Sequence, residues 1–178
     1  MQQEAVVTLH VGRFRRGKEQ SMMMLPELYI NAQATLGESP AWDAKTQTLY
    51  WVDVLERRVY AGAKPILQTK DYVGCVAPRR DGGLVIAQGR GLWALESNMK
   101  KLRRLASPRN EFPGNRFNDG KCDPRGRFIA GTMDHGEHEK RGSLYSLPPG
   151  ERPRRLLKEL SRILKGSIPK SPGRKGKN

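Results

Sequence analysis

The feature that most constrains this chain is a recurring alternation of short, β-prone apolar runs with tight polar turns. Leu49-Tyr50-Trp51-Val52-Asp53 is followed by Arg58-Val59-Tyr60-Ala61. Leu84-Val85-Ile86-Ala87 follows the turn Asp81-Gly82-Gly83 and is partnered by Gly91-Leu92-Trp93-Ala94-Leu95. Arg127-Phe128-Ile129-Ala130-Gly131-Thr132-Met133 follows Asp123-Pro124-Arg125-Gly126, with Gly142-Ser143-Leu144-Tyr145-Ser146-Leu147 next. Leu, Val, Ile and aromatic residues bounded by Gly, Pro and Asp read as strands, and from Leu25 to Leu147 no long helical period competes with them. The post-turn strands begin at Leu49, Leu84 and Phe128, spacings of 35 and 44 residues. Repeats of roughly 40 residues with several strands each are the pattern of propeller blades. A sandwich would show more evenly spaced single strands, so the sequence predicts an all-β fold of the β-propeller type.

The 178 residues suffice for one domain with a core of its own. The net charge of +15 is unevenly placed. Residues 148–178 carry ten Lys/Arg against two Glu, whereas 22–147 carry 19 basic and 14 acidic residues. Such a division argues against a uniform nucleic-acid-binding surface, and no stacking platform is evident. Cys75 and Cys122 lie far apart in no CxxC spacing and read as reduced, mostly buried thiols. Residues 1–20 have no apolar signal-peptide core. Met22–Ile30 is too short to span a bilayer and contains Pro26. These observations predict a cytoplasmic protein without a membrane span. Residues 1–24 are expected to be a poorly ordered extension, although Val6, Val7, Leu9 and Val11 allow a strand.

The stretch 112–136 concentrates hydrogen-bonding groups. Arg116, Asn118 and Asp119 crowd a Gly-flanked segment that reads as a polar loop feeding the turn at Asp123 and the strand after it. On residue types alone, this trio is an Asx-type turn with an exposed Arg, and Glu38 is a solvated turn glutamate. His135, Glu137, His138 and Glu139 offer a His-x-x-His pattern, but a hairpin loop does not hold ligands as a helix does, so it reads as an exposed loop.

In order and spacing, several motifs together resemble the senescence marker protein-30/regucalcin/gluconolactonase family over residues 25–147. These are Leu36-Gly37-Glu38-Ser39-Pro40-Ala41-Trp42, Leu49–Asp53, Arg116-Phe117-Asn118-Asp119-Gly120-Lys121, Asp123-Pro124, Gly126-Arg127, Ala130-Gly131-Thr132-Met133 and Gly142-Ser143-Leu144-Tyr145. The resemblance implies a six-bladed β-propeller, here truncated to about three blades. It also implies a divalent metal, calcium or zinc, in the central channel and hydrolysis of sugar lactones. It assigns Glu38 as a metal ligand and Arg116 and Asn118 as substrate contacts. Asp119 reads as a residue that fixes its neighbours, and Glu137 and Glu139 are the candidates for a further acidic substrate contact, Glu137 being the one assigned. No residue matches the family's remaining metal ligands, an Asn and an Asp that doubles as the base, so no catalytic residue is assigned. The expectation is a gluconolactonase-type enzyme impaired or inactive as this chain.

Residues 148–178 are expected to depart from that family. Leu156, Leu157, Leu160, Ile163 and Leu164 share one face of a helical projection among Arg and Lys, which predicts a basic amphipathic helix or a disordered tail. Such a tail suits an acidic protein partner, and the alternative function is a non-catalytic remnant that binds one. Pro172-Gly173-Arg174-Lys175 also admits codons that, shifted by one base, read Pro-Asp-Gly, so a frameshift or splice origin is a further expectation.

Overall fold

The computed structural model describes residues 27–150 together with the strands Val7–Thr8 and Arg154–Leu160. Every regular element among them is a strand. β1 (Val7–Thr8) pairs with β2 (Leu28–Ile30). β3 (Gly37–Asp43), β4 (Thr48–Asp53), β5 (Arg58–Ala61) and β6 (Lys64–Gln68) form one antiparallel meander. β7 (Val73–Pro78), β8 (Leu84–Gln88), β9 (Gly91–Leu95) and β10 (Leu102–Ala106) form a second. β11 (Asn115–Cys122), β12 (Phe128–Asp134), β13 (Gly142–Leu147) and β14 (Arg154–Leu160) form a third. Three consecutive four-stranded sheets in up-and-down order are three blades of a propeller, as the repeat predicts.

The blades stack through apolar faces that the strand period supplies. In β8, Leu84 and Ile86 pack toward the first blade, against Tyr50, Val52, Val54 and Val59. Val85 and Ala87, on the opposite face, pack with Phe117, Phe128, Ala130 and Tyr145 of the third. A strand covered on both sides has no polar face, which is why Leu84–Ala87 is a continuous apolar run rather than an alternating one. β4 obeys the same rule. Tyr50 and Val52 face the second blade, while Leu49 and Trp51 face a smaller cluster with Ala34, closed by Ile30, Ala32 and Tyr60. There Trp51 stacks on Tyr60 with ring centroids 4.1 Å apart and donates its indole N–H to Gly62 O at 2.8 Å.

The first strand of each blade is the innermost. β7 packs against both β3 and β11. Ser39 Oγ accepts a bond from Val76 N at 3.1 Å, and Phe117 N donates to Gly89 O at 2.7 Å. Gly74 permits the closest approach: a Cβ built there would meet Asn118 O at 2.1 Å and Phe117 O at 2.6 Å.

Two expectations are corrected. The polar stretch Arg116–Asp119 is not a loop but part of β11, irregular between Phe117 and Gly120. Phe117 in the core drives the correction, because burying it requires its neighbours to be extended. The predicted helix at Arg154 is a strand as far as Leu160, in register with β13 through Tyr145↔Arg155 and Leu144↔Leu157. The unpaired edge of β13 outweighs the weak helical preference of that segment. The expectations for Ile163, Leu164 and the remaining tail, and those for residues 1–6 and 9–24, lie outside the described residues. Both cysteines are free thiols, Cys75 buried and Cys122 exposed. No helix of the described residues is long and apolar enough to cross a membrane.

The turn into β12 is held by Asp123. Its Oδ1 accepts from the backbone N–H groups of Arg125 (3.0 Å) and Arg127 (2.9 Å), and its Oδ2 from Arg127 Nε at 2.6 Å. Desolvation alone would raise the Asp123 pKa, but these bonds and the Arg127 charge hold it below the ordinary carboxylate value.

Gly74→Ala is expected to lower stability by about 3 kcal/mol, because its new Cβ meets backbone that cannot swing aside. Gly62→Ala, at φ 57° in open space, is expected to cost only about 1 kcal/mol. Denaturant midpoints of the two variants check this contrast. Asp123→Asn is expected to be less stable than the parent at neutral pH. Since the folded pKa is depressed, the difference persists above the unfolded carboxylate value of about 3.9 and closes as pH falls below it. Thermal unfolding of both proteins between neutral and acid pH measures this.

Candidate functional site

The polar wall is built by the alternation of β11. Phe117 points into the core between the second and third blades and meets the Tyr145 ring edge-on, with centroids 5.9 Å apart. Its neighbours Arg116 and Asn118 therefore share the opposite face. Arg116 Nη1 donates to Asn118 Oδ1 at 3.0 Å and to Phe117 O at 3.2 Å, so the two candidate substrate contacts are joined before any ligand arrives. Asp119 accepts from Gly120 N at 2.7 Å and fixes the irregular step of the strand.

Arg116 is half-buried, and desolvation pulls its pKa below the ordinary value. The charges of Glu137, Tyr72 and Asp71 act in the other direction, which places Glu137 within the electrostatic reach of Arg116. Glu137 sits in the β12–β13 loop at φ 59°. That loop is organised by Asp134, whose Oδ2 accepts from His138 N at 3.0 Å and Glu139 N at 3.2 Å. His135 leans against Tyr72, with ring centroids 5.0 Å apart.

Glu38 lies on β3, in the first blade. It is exposed on β3, opposite Val52, where the register shifts between Glu38 and Ala41. The strand β7 stands between it and β11. Among the described residues no three His, Cys, Asp or Glu side chains are grouped to hold a metal ion. His135 and His138 thus belong to no such cluster. Calcium takes six to eight oxygen ligands and zinc about four ligands, so one carboxylate is not a site, and the donor set described here does not by itself fit a divalent metal.

Sequence reasoning missed Glu111. It is 5% exposed and anchors a network beneath the wall. Its Oε1 accepts from Asn115 Nδ2 at 2.8 Å and Phe112 N at 3.0 Å, and its Oε2 from Thr132 Oγ1 at 3.1 Å and the Tyr145 hydroxyl at 2.5 Å. Arg155 Nε also donates to the Tyr145 hydroxyl at 2.9 Å, which ties β14 to the same point. Desolvation and then the bond to Glu111 raise the Tyr145 pKa. This network fixes Asn115, the residue before Arg116. Nothing in Asn110-Glu111-Phe112 marks the glutamate as buried, because its partners come from three other strands or strand ends. Asp53, a buried carboxylate accepting from Thr35 N at 2.8 Å and Leu36 N at 3.2 Å, was equally silent.

Three consecutive four-stranded antiparallel sheets define a β-propeller segment, with the Arg116–Asn118 pair on the first strand of its third blade. The chain belongs to the SMP-30/Gluconolactonase/LRE-like family, whose description matches residues 36–163. It is 39% identical over 130 residues to regucalcin of Danio rerio, covering 69% of this chain and 44% of that protein. It is 36% identical over 109 residues to the 6-deoxy-6-sulfogluconolactonase of Pseudomonas putida, covering 58% of this chain and 38% of the relative. Among solved structures, a luciferin-regenerating enzyme superposes with a TM-score of 0.66 at 26% identity, covering 72% of this chain and 47% of that one. A calcium-binding regucalcin from Agrobacterium tumefaciens superposes with a TM-score of 0.63 at 27% identity, covering 71% and 44%. The chain thus spans less than half the length of these relatives.

Glu111→Ala removes the acceptor shared by the Tyr145 and Thr132 hydroxyls, the Asn115 amide and Phe112 N, and leaves the Tyr145 O–H without an acceptor in the interior. It is expected to cost about 3 kcal/mol, with Glu111→Gln costing less because it keeps acceptor oxygen and volume. Urea unfolding of the two variants measures the difference.

Proposed function

We propose that this chain forms the substrate-facing wall of a sugar-lactone hydrolase, and that among the described residues Glu38 contributes to a calcium or zinc site. The observation that carries the reading is the Arg116–Asn118 pair, joined at 3.0 Å on the innermost strand of the third blade. A guanidinium forks two hydrogen bonds to carbonyl or hydroxyl oxygens, and a carboxamide both donates and accepts. Together they suit a ring ester studded with hydroxyl groups. Glu137 adds an acceptor for a sugar hydroxyl from the β12–β13 loop.

The described residues offer one metal ligand and no carboxylate assigned to activate water. What this segment carries is therefore binding and orientation of the lactone, and turnover needs groups beyond those described. What this chain's own residues supply is the placement of the lactone carbonyl and its hydroxyl neighbours against β11.

Calorimetric titration with glucono-lactone tests the reading. Saturable binding is expected, weakened about tenfold to a hundredfold in Arg116→Ala and several-fold in Asn118→Ala, the range for losing charged and neutral hydrogen bonds. A folded parent that binds no lactone, or an Arg116→Ala variant that binds as the parent does, contradicts the proposal. Slow or absent hydrolysis in calcium, zinc or manganese is the companion expectation.

A further inference from the structure

Tyr72 lies in the connection between β6 and β7 and gathers one group from the first blade and two from the third. Arg57, from the β4–β5 turn, holds its guanidinium carbon 5.9 Å from the centre of the Tyr72 ring. Arg116, from β11, holds its own at 5.7 Å. His135, from the loop after β12, packs at 5.0 Å with its ring tilted by 45°. These separations fall within the range at which an aromatic ring attracts a cation.

The Tyr72 backbone is fixed independently of those contacts. Its N–H donates to Asp71 Oδ1 at 2.7 Å, and its carbonyl accepts from Gly89 N at 2.8 Å. Asp71 is itself lodged against Gly89, where a Cβ would come within 2.3 Å of Asp71 Oδ2. The ring therefore stands on a rigid base, whereas Arg116 is a long side chain with rotamer freedom to lose.

We propose that Tyr72 is a positioning residue for the lactone site: its ring and Asn118 Oδ1 together fix the Arg116 guanidinium, and its contact with His135 ties the Glu137 loop to the same point. This rests on the lactone-binding reading for its purpose, but not for its geometry. A ring that holds a guanidinium on one side of β11 reduces the ordering that ligand binding must otherwise impose, which strengthens binding without adding a contact to the ligand. Only the aromatic face is required.

The test pairs Tyr72→Phe with Tyr72→Leu in the full chain, with Tyr72→Met as the substitute should the Leu variant fail to fold. Two readouts are taken: the Arg116 Nε–H resonance in arginine-labelled protein, assigned by its loss in Arg116→Lys, and glucono-lactone affinity by calorimetry. In the parent and in Tyr72→Phe, the Arg116 signal is expected to be shifted from that of exposed arginines, with affinities within about twofold. In Tyr72→Leu the signal is expected to move to the exposed position and affinity to fall about tenfold. An unmoved Arg116 signal in Tyr72→Leu overturns the proposal, as does a Tyr72→Phe variant that behaves like Leu. If the parent binds no lactone, or Arg116→Ala binds as the parent does, the lactone reading fails. The Arg116 signal then still decides whether the ring holds the guanidinium.

Discussion

The structure depends on a middle blade that is buried on both faces. The second sheet has apolar side chains on either side of β8, and its innermost strand comes so close to β11 that Gly74 has no room for a Cβ. That approach fixes the spacing of the inner strands and thereby the position of Arg116 and Asn118. A sheet with water on one side would need polar residues there and could not seat its neighbour so closely. Blade packing and site geometry are thus one constraint seen at two scales.

Beneath the wall, buried polar groups add registration where apolar packing is non-directional. Glu111 collects donors from β11, β12 and β13, and through Tyr145 reaches Arg155 on β14. Above it, Arg116 is held in turn by Asn118 and by the Tyr72 ring. Arg116 thus contacts its own blade through Asn118 and the preceding blade through Tyr72.

Much of the fold was legible in the sequence. Strands with no polar face, such as Leu84–Ala87, and turns with a mechanism, such as Asp123-Pro124-Arg125-Gly126, carry their structure in local chemistry. What local chemistry obscured was the third blade. Arg116–Asp119 is polar enough to read as a loop, yet Phe117 and the pairing with β12 make it a strand. Arg154–Leu160 has leucines at helical spacing, yet the open edge of β13 makes it a strand as well. In both, a long-range pairing overrode a local preference. For the site, motif order pointed to Arg116, Asn118, Glu137 and Glu38, and the structure joins the first two by a hydrogen bond. Nothing local pointed to Tyr72 or Glu111, because their contacts form only where distant segments meet.

The central claim is that the inner face of β11 is where this propeller segment meets a sugar lactone. Backbone amide shifts during titration with glucono-lactone test it most directly. The account predicts perturbations concentrated at Arg116, Asn118, Tyr72 and the Glu137 loop, with the outer strands β6 and β10 unaffected. Perturbations confined to those outer strands, or none at saturating lactone, would contradict it.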